Sequence, residues 1–121
     1  MSIRSFRDLR VWKAAMDLVE KIYRLTQAFP RQEIYGLTSQ IQRAAVSIPS
    51  NIAEGHTREH LNEYLHHLSI AQGSLAEVET QREIAARLKY ISTRQLSETL
   101  VPIVSVGKQL YALRNALVKT R

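Results

Sequence analysis

Four histidines and a scatter of carboxylates are the first residues to suggest chemistry. His56, His60, Glu63 and His67 follow at steps of four, three and four, so a helix would set them on one face. Imidazole and carboxylate together suit zinc or a similar metal. The spacing argues against a site within one chain, because ligands strung along one helix span too great a length for a single ion. Only two of them, His60 with Glu63 or Glu63 with His67, can meet one metal, so the segment reads as a solvated helix face. Glu77, Glu79 and Glu83 form a second acidic set with Arg82 and Arg87 beside them. Glu83 and Arg87 are an i,i+4 pair in the favoured order. Di-metal carboxylate bundles need Glu-x-x-His on two helices, and this chain offers only His60–Glu63, reversed. No nucleophile, base and orienting group fall together. There is no Gly-rich phosphate loop. The absence of cysteine removes thiolate catalysis, disulfides and Cys-based zinc. The expectation is a non-enzymatic protein with no catalytic residues, metal or cofactor.

The basic residues make the better functional case. Lys and Arg number 17 against 11 acids, for a net charge of +6. The surplus sits at the two ends of the chain: residues 1–30 carry six cations against three acids, and residues 91–121 five against one. Arg4, Arg7, Arg10 and Lys13 step by three, and Lys21 and Arg24 continue the polar side of the same segment. Lys108, Arg114, Lys119 and Arg121 add charge near the other end. Such surfaces attract nucleic acid and other polyanions. Arg4, Arg7, Arg10, Lys13, Lys108 and Arg114 are the candidate phosphate contacts. Few exposed aromatics are expected, so recognition would read RNA or DNA shape more than sequence. The alternative is an assembly or adaptor protein that binds a protein partner, with its charge incidental.

Four helices must position these groups. The first is expected from about Phe6 to Ala28 and carries two heptad stripes. Leu9, Trp12, Met16, Val19 and Tyr23 make one; Val11, Ala15, Leu18, Ile22, Leu25 and Phe29 make the other. Together they are wider than one bundle core requires, and the surplus is expected to lie against another subunit. The second helix, Gly36–Gly55, has Thr38-Ser39 to cap its start and Gly55 to end it. Pro49 lies within it and is expected to kink it, since proline has no N–H for the Ala45 carbonyl. Ser47, Ser50 and Asn51 can serve the freed backbone groups. Glu54, beside Asn51 and Arg43, is expected to join a buried polar network there. The third helix, about Arg58–Leu88, holds Gly73 at a cost of roughly 1 kcal/mol against Ala, which close approach of a neighbour would offset. The fourth begins near Thr93, with Pro102 inside it.

Short connections favour antiparallel neighbours. The expected fold is therefore all-α, an up-down-up-down antiparallel four-helix bundle with a proline-kinked second helix, forming one domain over residues 1–121. In it the first and last helices adjoin, which would merge their basic residues. No apolar run approaches the roughly 20 residues of a membrane span, and the start lacks the apolar core of a signal peptide. With no cysteine, the expected location is cytoplasmic.

Four segments carry a family resemblance: Phe6-Arg-Asp-Leu-Arg-Val-Trp-Lys-Ala14, Leu25-Thr-Gln-Ala-Phe-Pro30, Gln42-Arg-Ala-Ala-Val-Ser-Ile-Pro-Ser-Asn-Ile-Ala-Glu-Gly55 and Ile70-Ala-Gln-Gly-Ser-Leu-Ala-Glu77. Over roughly residues 6–91 the chain resembles the S23, or 23S-rRNA intervening-sequence, protein family. The resemblance implies a four-helix bundle that assembles as a homopentamer. Relatives include an accessory protein of diversity-generating retroelements, which works with a reverse transcriptase and nucleic acid. The family supplies no catalytic residues. His56-Thr-Arg-Glu-His-Leu-Asn-Glu63 departs from relatives richer in Lys, Arg and Gly at that loop.

Overall fold

The computed structural model describes residues 5–120; Arg4 and Arg121 lie outside them. The helices are α1 (Arg10–Thr26), α2 (Leu37–His56), α3 (Leu61–Arg87) and α4 (Thr93–Val118). Two single-turn 3-10 helices, Phe6–Asp8 and Arg31–Glu33, precede α1 and α2. Among the described residues there is no strand. α1 packs on α2 and α4, and α3 packs on α2 and α4, while the backbones of α1 and α3, and of α2 and α4, stay apart across the core. The helices thus stand at the corners of a square. The apolar positions that line its centre form one cluster with members from all four helices.

The start of α1 differs from the expected continuous helix. The Ser5 side chain accepts the Arg7 N–H at 3.1 Å and closes the 3-10 turn. Leu9 is then extended (φ −73°, ψ 126°), so the α-helix starts only at Arg10. Within α1 the two stripes separate. Val11, Ala15, Leu18, Ile22 and Leu25 are buried, whereas Met16 and Tyr23 of the other stripe remain exposed. The core takes the second stripe, and Leu9, Trp12 and Val19 of the first pack half-buried against it.

α2 is capped neither by Thr38 nor by Ser39. Glu33 reaches forward, and its Oε1 accepts the Leu37 N–H at 3.0 Å. Gly36 allows this close approach, since a Cβ there would meet that oxygen at 2.7 Å. Tyr90 donates its hydroxyl proton to Glu33 Oε2 at 2.7 Å, tying the α3–α4 connection to the start of α2. These two bonds, the backbone one first, hold the Glu33 carboxyl below its usual range. Tyr90 is pushed up in turn, chiefly by the same bond.

The helix continues through Pro49 to His56, and Pro49 itself is buried. Its supporting side chains work differently from expectation. Asn51 Nδ2 donates to the Ser47 carbonyl at 2.9 Å and to Ser47 Oγ at 3.0 Å, which is not the Ala45 carbonyl that the proline leaves free. Gly55 lies in the last turn of α2 and is not its cap, which is Thr57. A Cβ at Gly55 would lie 2.8 Å from His67 Cβ and 3.0 Å from Tyr64 Cδ1, so the missing side chain is what lets α2 and α3 approach. Gly73 is the opposite case. Among the described residues nothing lies within 4 Å of its would-be Cβ, and none supplies the expected compensating neighbour.

α3 ends in a Schellman turn. Lys89 takes the left-handed conformation (φ 64°), with the Tyr90 N–H donating to Ala85 O and the Lys89 N–H to Ala86 O. Ser92 and Gln95 then form a reciprocal capping box at the start of α4. Arg82 follows Leu68, Leu75 and Val78 at helical steps of seven, three and four, and like them it is buried. Its guanidinium donates to the Leu96 carbonyl at 2.6 Å and to Thr99 Oγ1 at 2.5 Å, joining the end of α3 to the start of α4. At the other end of this pair, Arg114 of α4 donates to the Leu65 carbonyl and to Ser69 Oγ of α3.

Candidate nucleic-acid interface

The helical phase of α1 sorts its side chains into three strips. One is the core. A second is the exposed apolar strip through Met16 and Tyr23. The third carries Arg10, Lys13, Lys21 and Arg24, all exposed, at steps of three, eight and three that return to one face. Asp17 interrupts this basic strip, and Arg24 meets Glu20 at 3.9 Å across solvent. Such an exposed pair is worth little. The strip borders α4, since Lys21 and Arg24 share a shallow cleft with Gln95, Glu98 and Thr99.

The candidate phosphate contacts do not form one surface. Arg7 belongs to the preceding 3-10 turn and stacks on the Phe6 ring at 4.7 Å, while Phe6 packs edge-on against Trp12 at 5.3 Å. Arg10 and Lys13 lie on the α1 strip. Lys108 is exposed on the outer side of α4, opposite the buried Val106 and Leu110. Arg114 is turned across α4 onto α3 by its two hydrogen bonds. The adjacency of α1 and α4 is real, but the cations of α4 point away from it. Arg4 lies outside the described residues.

The polar network beside Pro49 joins α2 to α3. Ser74 Oγ donates to Ser47 Oγ at 2.8 Å. Asn51 Oδ1 faces His67 Nδ1 at 3.0 Å. Because the Asn51 amide nitrogen is committed to Ser47, its oxygen must accept, and the His67 proton there sits on Nδ1. Glu54 is exposed, bonded to Arg58 at 3.0 Å, and only its second oxygen approaches His67, at 3.9 Å. The carboxylate is therefore at the wet edge of the network and not inside it. Ser74 and His67 were not placed in this network by the sequence; their signal is that each falls on the α2-facing side of α3. Among the described residues no three His, Asp or Glu side chains converge as a metal site would require.

The expectation of few exposed aromatics is corrected by Tyr35, which is 95% exposed, with Tyr111 and Tyr23 exposed as well. Tyr35 belongs to no periodic stripe, so spacing gives no signal for it. Tyr111 belongs to the series Val101, Val104, Lys108, Tyr111, Asn115, Val118, whose alternating steps of three and four are a heptad seam. The core-facing stripe of the same helix masked it.

Fold and surface define a small helical-bundle protein whose distinctive chemistry is spread over its outer faces rather than gathered in a cleft. The profile of the 23S rRNA-intervening sequence protein family matches residues 7–112, and the chain belongs to that family. A solved structure of a protein with unknown function from the S23 ribosomal protein family of Bacteroides thetaiotaomicron is similar in fold. Its TM-score is 0.77 at 22% identity, over 86% of this chain and 97% of that one. No curated protein matches the chain. Among the described residues no helix is long and apolar enough to cross a membrane.

Proposed function

We propose that this protein is a non-enzymatic, oligomeric helical bundle that holds structured RNA or DNA by its phosphate backbone, as an accessory factor in the cytoplasm. The observation that carries the reading is the strip of four exposed cations, Arg10, Lys13, Lys21 and Arg24, on one face of α1. Arg7 stands next to its start. Phosphate contacts of this kind release counterions, so affinity falls steeply with salt. An oligomer repeats the strip once per subunit and binds a long backbone at several points. The family resemblance favours five subunits. Lys108 and Arg114 lie outside this strip.

Fluorescence anisotropy with a structured RNA and a matched DNA duplex, across a salt series, tests the reading. Binding is expected to persist near 0.15 M salt with a steep slope of log K against log salt. Replacing Arg10, Lys13 and Lys21 with Ala should reduce that slope by about two to three per engaged subunit, at roughly 0.9 per duplex phosphate contact. A folded triple variant with unchanged slope would remove the strip from the interface.

A further inference from the structure

Tyr35 has no structural duty within the bundle. Its side chain is 95% exposed, and among the described residues it makes no hydrogen bond or ring contact. An aromatic ring held in water carries the cost of apolar hydration and stabilises nothing in the fold. With Tyr23 and Ile34 it lines an open groove of about 820 Å³ between α1 and the start of α2, a volume in the range of small-molecule sites. Tyr23 and Ile34 are exposed as well. The groove thus offers two aromatic rings and an aliphatic surface that none of the described residues covers.

The rest of the lining is polar, and neutral save for one ion pair. Thr26 Oγ1 spends its proton on the Tyr23 carbonyl at 2.7 Å, so it must accept from Gln42 Nε2 at 3.1 Å. That fixes the Gln42 amide and leaves its Oε1 as a free acceptor. Gln27, Thr38 and Ser39 also line the groove, with side chains that make no hydrogen bond among the described residues. Aromatic faces beside amides and hydroxyls match a nucleobase, which has a π-face for stacking and an edge of mixed donors and acceptors. The charges decide where the strand's backbone goes. Arg24 lines this groove and also the cleft against α4, so the basic strip of α1 reaches the groove at its end. Glu20 lines the groove too and lies 3.9 Å from Arg24 across solvent. That exposed pair gives way to a phosphate at little cost. The Glu20 carboxylate repels phosphate from the groove itself and leaves an uncharged base unaffected.

We infer that this groove takes an unpaired nucleobase of a structured RNA, stacked against Tyr35 and Tyr23, while phosphates of the same strand lie on the α1 strip. A duplex keeps each base stacked on its neighbours. Loops, bulges and single-stranded ends of RNA instead present bases that can be splayed out onto aromatic side chains. Stacking of this kind tolerates any base, because every base has a π-face. The inference rests on the phosphate-binding reading above. It adds a ligand class, RNA with unpaired nucleotides, that phosphate contacts alone do not select.

Three labelled RNAs test it by fluorescence anisotropy: a blunt duplex, the same duplex with a short 3′ tail of adenosines, and the duplex with an abasic tail of equal length. The abasic tail adds the same phosphates without bases. Wild type is expected to bind the adenosine tail about 5- to 150-fold more tightly than the abasic tail, the range that stacking of one base supplies. Tyr23→Ala with Tyr35→Ala should abolish that gain and leave the blunt-duplex affinity and its salt slope unchanged, because no phosphate contact is lost. Tyr23→Phe with Tyr35→Phe should keep the gain, since the ring and not the hydroxyl stacks. Both tyrosines are exposed, and circular dichroism and light scattering check fold and mass. RNA that binds wild type with no gain from the bases overturns the inference alone. So does a gain that survives the alanine variant, a gain lost in the phenylalanine variant, or an alanine variant that weakens the blunt duplex equally. An alanine variant of altered mass overturns it too, since the groove would then be a contact between copies of the chain. If no RNA binds even at low salt, the phosphate reading itself fails and the inference with it.

Discussion

The same substitution should act with opposite sign at two glycines of this bundle. Gly73 lies at the centre of α3, and Gly55 lies in the last turn of α2, where the propensity gain is at most that of an interior site. Replacing an interior helical Gly by Ala gains about 1 kcal/mol in helix propensity. At Gly73 no atom of the described residues lies within 4 Å of the new methyl group, so the full gain of about 1 kcal/mol is expected. At Gly55 the methyl would stand 2.8 Å from His67 Cβ, 3.0 Å from Tyr64 Cδ1 and 3.3 Å from the Tyr64 carbonyl oxygen. Two of those atoms belong to or adjoin the α3 backbone and cannot swing aside. Relief requires α2 and α3 to separate locally, which disturbs the Asn51–His67 and Ser47–Ser74 bonds between them. Overpacking of this kind costs about 1–3 kcal/mol. After subtraction of the propensity gain, Gly55→Ala is expected to destabilise by about 1 kcal/mol, and the two variants to differ by roughly 2 kcal/mol. For a domain of this length that is a separation of roughly 6–10 °C in Tm. Urea denaturation of both variants beside wild type reads the difference. A Gly55→Ala variant as stable as Gly73→Ala would refute the reasoning, because it would mean that the α2–α3 approach does not depend on the missing side chain.

Other consequences are more local. Lys89 holds a left-handed conformation (φ 64°) that costs an L-residue roughly 1–2 kcal/mol. Lys89→Gly should raise stability by about 0.5–1 kcal/mol after the entropy of the more flexible unfolded chain is counted, read as a higher urea midpoint with unchanged slope. Glu33 is held below its usual pKa of 4.5 by the Leu37 N–H and then by Tyr90. Its stabilising contribution is therefore complete above about 4.5 and lost as pH falls through the lower folded-state value. Tyr90 is raised above 10.0, so its contribution is complete below that pH and lost as pH rises past it. Tyr90→Phe should remove the alkaline limb of the urea midpoint plotted against pH and make the acid limb shallower, since the Leu37 N–H still holds Glu33, whereas an unrelated exposed tyrosine, Tyr35→Phe, should alter neither.

Periodicity alone determined the helices and most of the core. Val11, Ala15, Leu18, Ile22 and Leu25 recur at steps that only a helix brings to one face, and the structure buries them all. The same arithmetic put Arg82 on the core stripe of α3 and marked a surplus apolar stripe on α1. The all-α class and the family were also legible, through that pattern and the segment around Pro49. Tertiary structure decided what depends on which side of a stripe meets a neighbour. Two glycines with equal intrinsic preference acquired opposite roles, because one faces α3 and the other faces solvent. The start of α2 is capped by Glu33, from the preceding turn, because a carboxylate four residues back reaches the first free N–H once the chain has bent. The cations of α1 and α4 were one group by sequence, yet Arg114 was drawn to α3 and Lys108 turned outward. Helical phase within an element is a one-dimensional property, readable from spacing. The rotation of each helix relative to the others is set by packing of all four together, and that rotation determines which charges share a surface.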